Sequence, residues 1–139
     1  MENEKILEPP HRSFREVFED HLRLSEIGDF ETDLSRNFSL DIIVVMENRI
    51  HRGHEAVRGL ARRLLRELPN GKYQNNVILL HEEIGMLEWT AQADEAEVLD
   101  GVDSYLFRDG KIVAQTICYN VTKIRSVGNS DALFGQSGE

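Results

Sequence analysis

The pair Asp109-Gly110 constrains this chain more than any other two residues. It stands between two long segments rich in β-branched and aromatic residues, 98–107 and 112–121. Asp-Gly is the two-residue connection whose backbone matches the twist of a tight antiparallel hairpin. The last third of the chain therefore reads as a β-meander. Period-two spacing within 98–107 places Leu99, Asp103, Tyr105 and Phe107 on one face, and Val98, Val102 and Leu106 on the other. A single carboxylate among hydrophobic and aromatic neighbours gives that face the look of a pocket wall.

With 139 residues, 40% hydrophobic and 29% charged, the chain suits one core and is short for two. No apolar run reaches the roughly 20 residues of a membrane span, and Met1-Glu2-Asn3-Glu4 is acidic where a signal peptide is basic. A soluble, cytoplasmic protein is expected. Cys118 is alone, which excludes a disulfide within the chain or a thiol cluster; its apolar strand predicts a buried structural thiol. The net charge of -9 repels a phosphate backbone, so nucleic acid is excluded as a partner.

Residues 1–12 carry Pro9 and Pro10 and read as an N-terminal arm; 13–123 form the domain; 124–139 are rich in Ser, Gly and Asn, with one apolar patch at Ala132-Leu133-Phe134, and read as a flexible tail. Ser13, with Glu16 three residues on, is a capping box. Behind it Phe14, Val17, Phe18, His21, Leu22, Leu24 and Ser25 make one helical stripe that Gly28 ends. A second short helix is expected over 29–38, with Phe30, Leu34 and Phe38 four apart. The run 40–46 is almost wholly apolar and predicts a strand covered on both faces, one of them by a helix over 54–68. In that helix Arg58, Arg62 and Arg66 read as a solvated charged face in preference to an anion site. Strands over 76–82 and 85–94 complete the sheet, with Trp89 on the face of Leu87, Ala91 and Ala93.

Three stretches then carry a family resemblance. They are Gly28-Asp29-Phe30 with Phe38 and Asp41, His51-Arg52-Gly53-His54-Glu55-Ala56-Val57, and Asp103 through Ile112. In this wording and order of elements the chain resembles the nuclear transport factor 2-like superfamily, in its SnoaL-like branch of polyketide cyclases and ketosteroid isomerase-like proteins. The resemblance implies an α+β fold, a cone-like barrel of curved, mixed but mainly antiparallel sheet wrapped around an N-terminal helix, with three helices. It also implies a homodimer formed through the outer face of the sheet. The scaffold hosts isomerases, cyclases, dehydratases and hydrolases, so function must be argued from the site.

A curved sheet around a helix leaves an apolar cavity where the helix does not fill it, and polar groups inside are few and costly. His21 and Asp103 are the first to weigh. Buried on its stripe, His21 is either a satisfied core histidine or a site residue. By resemblance it takes the place of the oxyanion-hole tyrosine of ketosteroid isomerase, and Asp103 that of the neutral aspartic acid, which apolar surroundings hold protonated. The alternative is an ion pair between them. The position of that enzyme's general base is Met46, which accepts no proton; Glu47, next to it, turns inward only if a bulge intervenes. The final strand, where SnoaL-like cyclases carry an acid, offers Gln115 and Tyr119 instead. Phe18, Met46, Trp89, Tyr105 and Phe107, with Gln115 and Tyr119, are the candidate ligand contacts, although core filling is the first explanation of Trp89, since one buried tryptophan needs no ligand. His51 and His54 flank Gly53 without a matching acid or thiol, so they read as helix-start polar residues and no metal is expected. No cofactor is required. The expected ligand is a small apolar cyclic or aromatic molecule, bound for proton transfer beside a carbonyl as in an isomerase or cyclase. A non-catalytic dimeric interaction module with a filled cavity is the alternative.

Overall fold

The capping box at Ser13 starts the first helix where it was expected. The Ser13 hydroxyl accepts from the Glu16 amide at 3.1 Å and the Glu16 carboxylate from the Ser13 amide at 2.8 Å. The computed structural model describes residues 12–124, so the N-terminal arm, apart from Arg12, and the tail beyond Ile124 lie outside the described residues. Helix α1 (Phe14–Ile27) closes on Gly28, whose φ of 80° is the left-handed geometry that glycine adopts without strain. Asp29 caps α2 (Phe30–Asn37) through the Thr32 amide. Phe38 does not finish this helix as expected. It opens β1 (Phe38–Met46), pairing with Ile112, and stays buried there.

β1 turns into β2 (Arg49–Arg52) through Glu47 and Asn48, both at positive φ, as a tight two-residue hairpin needs. Then follow α3 (Gly53–Glu67), β3 (Lys72–His81), β4 (Ile84–Gln92), β5 (Ala96–Arg108), β6 (Lys111–Cys118) and β7 (Val121–Lys123). Asp109 and Gly110 link β5 to β6 as expected, at φ 54° and 73°. The sheet runs β2-β1-β6-β5-β4-β3, with β7 beside the start of β5; β1 and β6 are parallel and every other pair is antiparallel. Among the described residues seven strands and three helices form the α+β cone, and the sheet is not closed. α3 packs on β1 and β2, while α1 and α2 pack on each other and on β6.

Two expectations of strict alternation fail at one bulge. Thr90 on β4 faces both Leu99 and Asp100 on β5, and the extra residue switches the phase of the strand. Val98 therefore points into the core, wholly buried, while Leu99 is 62% exposed and leaves the face of Asp103, Tyr105 and Phe107. The Asp100 carboxylate accepts from the Asn120 amide and side chain at 3.0 and 2.9 Å. That clasp interrupts the expected single strand 112–121, and the chain resumes as β7 against Ala96–Val98.

Two burial expectations also change. Cys118 is exposed, because it pairs with Val102 on the outer face of the sheet. The apolar run in β1 buries Ile42, Val44 and Met46 but exposes Leu40 and Val45, so within one chain it is covered on one face only. Among the described residues no helix is long and apolar enough to cross a membrane.

Candidate functional site

The inner face of the sheet carries its polar groups in two adjacent rows. Leu87, Asp103 and Ile117 stand abreast on β4, β5 and β6; Gly85, Tyr105, Gln115 and Val44 form the next row, which reaches β1. β-pairing thus brings residues distant in sequence into side-chain contact. The Asp103 carboxylate receives three donors: Trp89 Nε1 at 3.1 Å on Oδ1, and Gln115 Nε2 at 3.1 Å and the Tyr105 hydroxyl at 3.3 Å on Oδ2. Only 8% of Asp103 is exposed. Burial pushes its pKa up, against the opposing pull of the Trp89 and Gln115 hydrogen bonds. The Tyr105 phenol is held well above its ordinary range, first by burial and then by the neighbouring Asp103 charge.

His21 reaches this cluster from α1. Its Nε2 lies 3.1 Å from the Tyr105 hydroxyl and its Nδ1 2.8 Å from Asp33 Oδ2, while its ring packs edge-on against Phe38 and Tyr105. His21 and Asp103 thus share no direct hydrogen bond; the Tyr105 hydroxyl stands between them. Beyond Asp33 the chain of bonds continues outward. Asn37 Nδ2 donates at 2.9 Å to both Asp33 and Asp20, and Asn37 Oδ1 accepts from Arg12 at 2.8 Å. Asp20 is gripped by Arg36 at 2.8 and 2.9 Å, and that bond first of all holds its carboxyl far below the usual range.

Aromatic rings surround the network. Phe18 lies 5.0 Å from Tyr105 and 5.4 Å from Phe107, centroid to centroid, and Phe14 stacks on Phe107. Trp89 is flanked by Tyr73 at 5.7 Å and Tyr119 at 5.6 Å. Two glycines make room for these rings. A Cβ on Gly101 would stand 2.2 Å from the Trp89 indole, and one on Gly85 3.0 Å from the rings of Phe18 and Phe107. On β3, Tyr73 and Ile78 face the same interior, opposite Ala91 and Leu87, yet remain 45% and 48% exposed. The interior is therefore covered over β1, β5 and β6 and open to solvent at β3.

Of the residues expected at a site, His21, Trp89, Asp103, Tyr105 and Gln115 belong to one hydrogen-bonded network, with Phe18 and Phe107 packed on it. Tyr119 stands on the far side of Trp89 and donates at 2.6 Å to Glu67. Met46 is buried at the end of β1. Glu47 does not turn inward: it sits exposed in the β1–β2 turn and binds Arg63, which also binds Glu67. His54 Nε2 bonds the Phe38 carbonyl at 3.0 Å, the role of a helix-start polar group. Arg58 is occupied by Glu31 and Glu55, as a solvated charged face requires. Among the described residues no cluster of three or more His, Cys, Asp or Glu side chains is arranged to hold a metal. An open groove of about 470 Å³ lies at Arg12, Ser13, Phe14, Asp109 and Gly110, and none of these residues touches the Asp103 carboxylate.

Asp33 is the buried residue that sequence reading missed. The signal was available in its spacing: Asp33 and Asn37, four apart, flank Leu34 on the stripe that packs inward, so two polar side chains had to share that buried edge.

No protein-family model matches the sequence, and no curated protein matches it. Solved structures do. A protein from Jannaschia sp. CCS1, whose designation as a SnoaL-like polyketide cyclase is itself provisional, superposes with a TM-score of 0.67 at 13% identity, over 81% of this chain and 92% of its own. A nuclear transport factor 2-like protein of unknown function from Burkholderia xenovorans LB400 gives 0.64 at 18%, over 89% and 94%. AclR from Streptomyces galilaeus, provisionally designated a hydroxylase, gives 0.64 at 18%, over 76% and 87%. At such identities the likeness establishes the fold alone.

Proposed function

Because this chain has the nuclear transport factor 2-like fold of the SnoaL-like proteins, we propose that it binds a small, mostly apolar cyclic or aromatic molecule inside the cone. A carbonyl or hydroxyl of that molecule is directed at Asp103. The observation that carries this reading is the convergence of Trp89, Gln115 and Tyr105 on one buried carboxyl, whose pKa burial raises. A core built only for stability gains little from burying such a group, whereas an acid kept neutral in an apolar site is a hydrogen-bond donor ready for a developing oxyanion. The exposed Tyr73 and Ile78 on the interior face of β3 mark the side from which a ligand would enter. The compatible chemistry is proton transfer next to a carbonyl, as in an isomerase or cyclase, with Asp103 as acid, His21 behind it and no cofactor. Glu47, held by Arg63 at the surface, is left out of this assignment.

The partner protein is a second copy of the chain, docked through the outer sheet face. Val45, Thr116, Ser104, Met86 and Leu79 form one row across five strands there, and Val45 and Leu79 are exposed. One observation favours the alternative reading, a non-catalytic interaction module: both Asp103 oxygens already have donors, and aromatic rings meet throughout the interior.

A thermal-shift screen against cyclic ketones, steroids, aromatic acids and polyketide fragments separates the two. A ligand at 100 times its Kd adds about 2.7 kcal/mol, which is a rise of about 10 °C in a domain of this size. A hit in the native chain that Asp103→Asn abolishes, with folding intact, supports the binding site. Silence across all four classes supports the interaction module.

A further inference from the structure

We infer that His21 and Asp103 hold a single proton between them, passed through the Tyr105 hydroxyl, and that Asp33 is the positioning residue that keeps the receiving nitrogen of His21 turned toward Tyr105. This extends the acid role proposed for Asp103, but it rests on hydrogen bonds within the chain and not on any ligand.

Hydrogen-bond accounting carries the argument. The Tyr105 hydroxyl owns one hydrogen and has two neighbours in reach, His21 Nε2 at 3.1 Å and Asp103 Oδ2 at 3.3 Å. Asp33, as a carboxylate, accepts at 2.8 Å, so His21 Nδ1 carries a hydrogen in every arrangement. Two arrangements then satisfy all the groups. In the first, Asp103 is a carboxylic acid that donates to the Tyr105 oxygen, Tyr105 donates to His21 Nε2, and His21 is neutral. In the second, Asp103 is ionised and accepts from Tyr105, while a doubly protonated His21 donates from Nε2 to the Tyr105 oxygen. Both hold the same number of protons and the same charge. They interconvert by two short transfers: the Asp103 O–H bond breaks as a new Tyr105 O–H forms, and the old Tyr105 O–H breaks as the His21 Nε2–H forms. No electron changes owner.

The two remaining combinations fail. Neutral His21 with ionised Asp103 sets two acceptors against one hydrogen: if Tyr105 donates to Asp103, His21 Nε2 is unpaired, and if it donates to His21, its oxygen faces the Asp103 charge at 3.3 Å with no hydrogen between them, whatever Gln115 and Trp89 donate from the other side. Charged His21 with neutral Asp103 aims two donors at the Tyr105 oxygen and leaves the hydroxyl hydrogen without a partner. In a site where His21, Asp33, Asp103 and Tyr105 are all at least nine-tenths buried, either mismatch is costly, which suppresses both combinations. Among the described residues no other proton source touches the pair. β4 and β6 present only the Trp89 indole and the Gln115 amide, α2 presents Asp33, and Asp20 on α1 is reached only through the Asn37 amide. Asp103 can therefore hand the shared proton to a bound molecule and take it back, with His21 as its store through Tyr105.

The test is nitrogen NMR of the ligand-free, 15N-histidine-labelled full chain at neutral pH, with the His21 signals identified by their loss in His21→Gln. The expected His21 Nε2 resonance lies between those of a bare and a proton-bearing imidazole nitrogen. It moves to the bare extreme in Asp103→Asn, which has no proton to give. Should Asp103→Asn fail to fold, Tyr105→Phe removes one oxygen from an aromatic core and sends Nε2 to one extreme or the other. A wild-type Nε2 already at either extreme, or an intermediate one that neither variant moves, overturns the inference. Because no ligand is present, failure of the proposed binding function leaves this result unchanged, and the reverse holds too.

Discussion

Gly101→Ala tests the packing of the site through a single methyl group. The new Cβ would stand 2.2 Å from Trp89 Cε2, 2.4 Å from Cδ2 and 2.7 Å from Nε1, far inside van der Waals contact, so ring or strand must shift by more than an ångström. The ring has little room to retreat, with Tyr73 and Tyr119 at its sides. Overpacking of this kind costs about 1–3 kcal/mol. The displaced indole also gives up its bond to Asp103 Oδ1, and a buried carboxyl oxygen left without its donor costs about 1–3 kcal/mol more. The mid-range total of about 4 kcal/mol is a large part of the 5–15 kcal/mol that holds an ordinary domain together. At about 4 °C per kcal/mol, the melting temperature should fall by roughly 15 °C. Thermal unfolding followed by circular dichroism reads the loss, and the emission of Trp89, the chain's single tryptophan, reads the displacement. Gly59→Ala is the control: nothing lies within 4 Å of its new Cβ, and in the interior of α3 it should stabilise by about 0.5–1 kcal/mol. A Gly101→Ala protein melting within about 2 °C of wild type would refute the account of how Trp89 is seated.

Further expectations concern charge, bridging and association. Because burial raises the folded-state pKa of Asp103 above its unfolded value, its contribution to stability is full below the ordinary carboxylate range and is lost as pH rises through the folded value; wild-type stability relative to Asp103→Asn should decline accordingly, by at most about 1.4 kcal/mol per pH unit, and a difference constant with pH in urea titrations contradicts this. Asp20 acts in the opposite sense: Arg36 lowers its pKa, so its contribution is present above the ordinary carboxylate range and disappears in acid, and Asp20→Asn should flatten the acid limb of the same titration. Tyr105→Phe should cost about 1–3 kcal/mol, since it leaves His21 Nε2 without its partner; an unchanged denaturation midpoint would remove the hydroxyl from the network. Cys118, exposed on the outer sheet face, should react with a thiol reagent in dilute solution and become protected as protein concentration rises; reactivity independent of concentration, with a monomer in sedimentation, sinks the homodimer.

Local signals in the sequence were reliable where chemistry a few residues wide decides the backbone. Ser13 with Glu16, Gly28, and Asp109 with Gly110 each mark a boundary that the structure keeps, because a cap or a tight turn is satisfied by neighbours in the chain. What escaped depends on partners far along it. Phe38 leaves the helical spacing of Phe30 and Leu34 because Ile112 offers a strand to pair with. Leu99 and Cys118 were assigned by alternation and burial propensity, and a bulge at Asp100 and the pairing with Val102 decide them otherwise. The site divides in the same way. Asp103, His21, Tyr105, Trp89 and Gln115 were legible singly, as polar or aromatic groups on buried faces. That Trp89 and Gln115 donate to Asp103, and that Tyr105 stands between Asp103 and His21, follows from the register of three strands and the seat of one helix, which no local pattern encodes.

The claim that the cone receives a ligand at Asp103 is tested most directly by titrating wild-type and Asp103→Asn proteins with apolar cyclic ketones and phenols while recording Trp89 emission. Trp89 is the sole tryptophan and lies 3.1 Å from the carboxyl, so any molecule that reaches Asp103 must alter its surroundings. The account predicts a saturable change with wild type that is lost or at least tenfold weaker, about 1.4 kcal/mol, in folded Asp103→Asn. Saturable binding of equal strength to both proteins, or no saturable change with any compound of either class, contradicts it.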